Sequence, residues 1–170
     1  GLILFLSSPR FLYPIILSIS YVFNDMTIVY PVMKIINALL SSLIIFPAWL
    51  IAKEYMSKKN AFSMAIIVSL LPPMFAFSPI LMSENLFFPL FLFCFYFIYK
   101  SFVSTKYKWD ILAGVFIGLT ILTRTIGIIL IPSMLLFWGV SIFKKNHFKQ
   151  LKKKIVLLVF LAILVIVSFL

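Results

Sequence analysis

Four charged residues stand apart from the basic clusters of this sequence: Asp25, Lys34, Glu84 and Arg124. A charge set among apolar segments is costly to keep there, so each is a candidate for function by default. Lys34, Asn37 and Ser41 recur at i, i+3 and i+7, which on a helix makes one polar stripe. That stripe suits contact with a lipid phosphate. Equally, Lys34 can snorkel to headgroups while Asn37 and Ser41 hydrogen-bond neighbouring helices. Glu84 follows Ser83 at the expected start of one helix and Arg124 closes another, so each also complements a helix dipole. What sets these two apart is that the expected topology puts both in short turns on one face, with opposite signs. Asp25, after Asn24, reads as a plain turn residue.

No P-loop, dinucleotide fingerprint, nucleophile elbow or metal-ligand spacing is present. Cys94 is the single cysteine and His147 the single histidine, so neither an intrachain disulfide nor a Cys/His metal centre is available. His147 lies among lysines and reads as a solvated surface residue. The net charge of +11 comes from bases in short clusters between apolar runs rather than along an amphipathic face. No nucleic-acid partner is expected from that pattern.

The elements that must position these residues follow from composition. The 170 residues are 64% hydrophobic and 11% charged, with a mean hydropathy of +1.21, whereas soluble domains hold about 45–50% apolar and 25% charged residues. Four acids and fifteen bases cannot cover a water-exposed surface of this size. The expected fold is therefore all-α, a polytopic transmembrane helix bundle with membrane lipid as its solvent and a cell membrane as its location. Five spans and a truncated sixth are predicted. Helix A covers about Pro31 to Ala52, B Ala61 to Phe77, C Asn85 to Tyr99, D Asp110 to Thr123 and E Ile126 to Phe143; F starts near Ile155. Pro31 suits a first-turn position, Ser83 and Asp110 suit N-caps, and Pro72-Pro73 should bend or end helix B. Gly114 and Gly118 form a GxxxG pair that admits a closely packed neighbour. Residues 9–23, with prolines at 9 and 14, are too short to span comfortably and read as a segment in the outer interface. The chain thus divides into an outer-face segment, 1–30, and transmembrane helices, 31–170, of one domain. The absence of an initiator methionine and the apolar end at Leu170 lead us to expect a fragment of a longer polypeptide.

Bases favour the cytoplasmic side of a membrane. Twelve of the fifteen fall in the A–B, C–D and E–F connections, leaving Arg10, Lys34 and Arg124 for the other side. Glu84 and Arg124, in the B–C and D–E turns, are accordingly expected on the extracytoplasmic face.

From Tyr30 to Pro132 the order of segments resembles the transmembrane core of C-type glycosyltransferases that use polyprenyl-phosphate sugars, relatives of protein O-mannosyltransferases and lipid A aminoarabinose transferases. The resemblance rests on Tyr13-Pro14 before a helix carrying Lys34 and Asn37, and on the short loop KEYMSKKN. It rests further on a helix ending near a double proline, the turn SPILMSENLF with Glu84, and the stretch AGVFIGLTILTRTIGIILIP. It implies a sugar transferred from a polyprenyl-phosphate donor to an acceptor on the extracytoplasmic face. It also implies that an acidic residue of an external loop acts as base; Asp25 follows the Tyr-Pro segment and does not take that role. We expect that loop before Gly1, which would leave the 170 residues inactive alone. Arg124 and Lys34 become candidates for donor phosphate contact, and Glu84 for an acceptor or metal contact, since the superfamily admits a divalent metal. A transporter or lipid flippase is the alternative, and a non-catalytic scaffold the third reading. A transporter should carry its polar residues near mid-membrane and show related halves, whereas the notable charges here gather at one face.

Overall fold

The computed structural model describes residues 11–71, 79–104, 106–133 and 136. Among them the secondary structure is helical throughout, without a strand. Helix α1 (Leu12–Ser18) runs into a 3-10 turn (Ile19–Val22), followed by α2 (Met26–Ser42), α3 (Ile45–Ala52) and α4 (Lys58–Ser69). After the 79–83 turn come α5 (Glu84–Val103), α6 (Tyr107–Thr123) and a second 3-10 turn (Thr125–Ile129) that leads into helical residues 130–133.

Helix A starts earlier than Pro31. Asp25 has extended backbone and its carboxylate accepts the Thr27 N–H at 2.9 Å, a true N-cap that satisfies one of the free donors of the first turn. This bond also holds the Asp25 carboxyl below the usual carboxylate range. Pro31 therefore sits inside α2, where its missing N–H removes one bond to the carbonyl of Thr27. A second proline explains why the helix is not continuous to Ala52. Pro47 offers no N–H to the Leu43 carbonyl and its ring crowds that oxygen, so Leu43 O takes the Phe46 N–H at 3.2 Å instead. The chain tightens over Leu43 and Ile44 but keeps its direction, so that Met26–Ala52 forms one 27-residue apolar rod.

Two helices of the described residues are long and apolar enough to cross a membrane: that rod and the 20-residue α5. Of the other expected spans, α6 has 17 residues and the described part of helix B, α4, has 12. Residues 72–77 of B, half of E and all of F lie outside the described residues, so the five-span expectation stands beside two helices of spanning length. Asp110 is not the cap of α6 either. The helix starts at Tyr107, and Asp110, in its first turn, receives the Ser101 hydroxyl from α5.

The core lies between α5 and α6. Where both water and lipid are excluded, close fit supplies the attraction, and small residues allow it. Ala113, Gly114, Ile117, Gly118 and Ile121 are the buried face of α6. Phe116 of that helix meets Phe93 and Phe97 at ring-centroid distances of 5.2 and 4.9 Å, and Trp109 meets Phe97 at 6.1 Å. Cys94 Sγ lies 3.1 Å from Thr120 Oγ1, buried in the same seam. A second cluster joins Tyr13 and Leu17 of α1 to Leu86 of α5, with Met33, Ile36 and Leu40 of α2 packed around it. Ile28, Ile35, Leu39 and Phe46 point outward from α2 and α3, an apolar face suited to lipid.

Candidate functional site

The first turn of α5 is where three other segments converge. Asn37, in the middle of α2, and Asn85, the second residue of α5, are both buried among apolar side chains, a placement that costs several kcal/mol for an amide left without partners (roughly 2–7). Each finds partners. Asn37 Oδ1 accepts the Tyr13 hydroxyl at 2.8 Å and the Asn85 amide at 3.1 Å. The Ile80 carbonyl, in the turn before α5, accepts from Asn37 Nδ2 at 2.9 Å and from Asn85 Nδ2 at 3.0 Å. Four segments, α1, α2, the 79–83 turn and α5, are thereby tied through one carboxamide. Burial, with Glu84 adding a smaller contribution, pushes the Tyr13 phenol up to about 12, which keeps it a proton donor to Asn37.

Glu84 is the neighbour of Asn85 and the first residue of α5. Its Oε1 receives Arg124 Nη1 in an ion pair, and the Ser83 hydroxyl lies 3.4 Å from its other oxygen. The pair is partly open, with the Arg124 side chain 35% and the Glu84 side chain 24% exposed. A guanidinium has five N–H donors, so an Arg held by one carboxylate keeps donors for another anion.

The backbone around Arg124 explains how it reaches Glu84. Near the end of α6 the hydroxyls of Thr120 and Thr123 bond back to the carbonyls of Phe116 and Leu119. Arg124 then turns extended, its N–H still on the Thr120 carbonyl at 3.0 Å. Its own carbonyl accepts the Gly127 N–H at 2.9 Å, opening the 3-10 turn. That turn lies directly on α6: a Cβ at position 127 would sit 3.0 Å from the backbone of Thr120 and Ile121. Glycine is thus required by the close approach, and the approach fixes where Arg124 leaves the helix.

Of the residues singled out from sequence, Glu84 and Arg124 are brought together and Lys34 is not among them. Lys34 is exposed on α2, with its ammonium 4.6 Å from the centre of the Tyr30 ring. The Lys34–Asn37–Ser41 stripe is therefore split: Asn37 turns inward to the hydrogen-bond network and Lys34 turns out. Asn85, the Ile80 carbonyl and the hydroxyl of Tyr13 were not anticipated. Their signal was available, since two amides in apolar helices of one chain each need a partner, and each can be the other's.

Among the described residues, no three of His, Cys, Asp and Glu gather as metal ligands. Glu84 is a single carboxylate already engaged by the Arg124 cation, and among the described residues no second carboxylate stands beside it to complete a protein ligand set. A cavity of about 300 Å³, lined by Tyr55, Tyr96, Tyr99 and Leu130 among others, lies toward the opposite end of α5. At that end Lys100 Nζ meets Glu54 at 2.7 Å, so α5 carries one ion pair at each end, about 24 Å apart for a helix of that pitch.

Described residues that are helical, with two apolar helices of membrane length and a partly exposed cation held at a helix end, are the frame in which the sequence comparison finds its place. The family model of dolichyl-phosphate-mannose-protein mannosyltransferases matches residues 9–170, and the chain belongs to this family of membrane-integral, C-type glycosyltransferases. No curated protein and no solved structure matches it.

Proposed function

We propose that the intact protein transfers a sugar from a polyprenyl-phosphate donor to an acceptor on the extracytoplasmic face, and that Arg124 contacts the donor phosphate. The observation carrying this reading is the Arg124 guanidinium, oriented by Glu84 and still one-third exposed at the joined ends of α5 and α6. A leaving polyprenyl phosphate gains negative charge as the sugar departs, and a preset cation with free N–H groups stabilises that charge without reorganising. Glu84 holds the guanidinium in place and is the candidate for acceptor contact. Lys34 contributes a second cation from α2, one helical turn from Asn37.

The face is inferred from charge. Lys53, Lys58, Lys59, Lys100, Lys106 and Lys108 all lie in or beside the two connections at the Glu54–Lys100 end. The positive-inside tendency assigns that end to the cytoplasm and the Glu84–Arg124 end to the opposite side. On this reading the chain is multi-pass and sits in a cell membrane, and α1 with the residues before α2 lies at the outer interface.

The test is release of polyprenyl phosphate from a polyprenyl-phosphate sugar by the purified intact protein, with candidate acceptors supplied. Release that depends on acceptor supports the reading. Movement of solute across sealed vesicles without any glycosyl transfer would replace it with a transporter.

A further inference from the structure

We infer that Asn37 is a positioning residue for the Glu84–Arg124 pair, acting through Asn85 and the turn before α5 without touching substrate. This rests on the proposed donor site only for its effect on activity; the positioning itself is a matter of geometry. The Asn37 side chain is fully buried, and its carboxamide makes three of the network's four hydrogen bonds, with Tyr13, Asn85 and the Ile80 carbonyl. Its two ends have distinct duties. The oxygen gathers donors from α1 and α5, and the nitrogen holds the turn that sets where α5 begins. Glu84 is the first residue of that helix and the immediate neighbour of Asn85, so its carboxylate is placed by whatever fixes the first turn of α5.

The arrangement is specific to an amide. Leucine fills similar volume but supplies neither acceptor nor donor, leaving the Tyr13 hydroxyl without its acceptor and Ile80 with only the Asn85 bond. Aspartate keeps the acceptor and loses the donor to Ile80. Since the hydrogen bonds of Asn37 reach the first turn of α5 and the turn before it, a change at Asn37 should reach the Glu84–Arg124 pair as a displacement. Local loss of stability alone would leave the folded fraction with the pair in its original place. Displacing a binding group by about 1 Å can cost up to two orders of magnitude in rate.

Proximity and activity are measured separately on the intact protein in membranes. Glu84→Cys with Arg124→Cys, in a Cys94→Ala background, is treated with a short bis-methanethiosulfonate, and the cross-linked fraction is read. Asn37→Leu should lower that fraction severalfold in folded protein, and Tyr13→Phe, which removes one bond while keeping the ring, should lower it less. Ser101→Ala, which breaks a polar contact at the far end of α5, should leave it unchanged. Unchanged cross-linking in both Asn37→Leu and Tyr13→Phe overturns the inference, as does an equal loss in Ser101→Ala. With native Glu84 and Arg124, Asn37→Leu should raise the donor KM about tenfold with a smaller change in kcat, and adding Arg124→Lys should not add to that loss. Fully additive losses would also overturn it. Wild-type kinetics for Arg124→Lys together with lost cross-linking in Asn37→Leu would instead remove the donor reading and leave the positioning intact.

Discussion

Replacing Arg124 by lysine separates its two roles, because the contacts each requires differ in strength. As the residue closing α6, a cation interacts with the helix dipole for about 0.3–1 kcal/mol, and lysine retains that. The ion pair to Glu84, with side chains 35% and 24% exposed, is screened by solvent and worth about 1 kcal/mol or less. Lysine keeps much of this also. What it loses is the planar fork, which lets one guanidinium hold Glu84 and offer further N–H groups to a phosphate at once. A charged hydrogen bond contributes about 1.5–3 kcal/mol, and at 1.4 kcal/mol per decade this is roughly a ten- to hundredfold rise in donor KM. Arg124→Ala goes further, since it also leaves a mostly buried Glu84 unpaired and should lower thermal stability as well. The assay is polyprenyl phosphate release against donor concentration for the three proteins in one lipid composition, normalised to folded protein. Wild-type KM and kcat in the lysine variant would mean that Arg124 serves only the helix end, and the phosphate assignment would fall.

Two other outcomes follow from local geometry. Gly127→Ala places a methyl group 3.0 Å from the backbone of Thr120 and Ile121, which cannot rotate aside, so it should destabilise by about 1–3 kcal/mol and lower the melting temperature of the solubilised protein; an unchanged melting temperature would show that the 3-10 turn is free to lift from α6. Single cysteines at Ser57 and Ser104 should resist an impermeant thiol reagent in intact cells while one at Asn24 reacts, and reversed labelling would turn the proposed active face inward.

The helical class and the shared end of Glu84 and Arg124 were legible because they depend on composition and on the alternation of lysine-rich connections with connections poor in bases. Their pairing was not, since it spans 40 positions and depends on an extended residue closing α6 and a glycine permitting the turn after it. Pro31 looked like a helix start because proline suits a first turn, yet Asp25 six positions earlier captured a backbone N–H and started the helix there. Lys34 stays outside the buried network for a reason of angle: three residues turn an α-helix by about 300°, so Asn37 faces inward while Lys34 is rotated some 60° toward the outside. The stripe was real at low resolution and too wide to predict which member would be buried. Residues 134–135 and 137–170, which hold half of helix E and all of helix F, lie outside the described residues.

The two ion pairs on α5 have a mechanical meaning. A helix anchored to a neighbour at one end only can slide along its own axis, like a piston, when the bilayer thins or thickens. Here Glu84 is held by Arg124 and Lys100 by Glu54, so axial sliding in either direction strains a charged contact. On the proposed membrane placement, both pairs oppose that motion, which favours absorbing a mismatch between helix and bilayer by tilting α5 together with α6 and α3. In the proposed orientation Glu84 and Arg124 would keep their mutual geometry while their depth and angle in the headgroup region change. A lipid-borne substrate would meet a site of constant internal shape whose height in the membrane is set by the thickness of the bilayer around it.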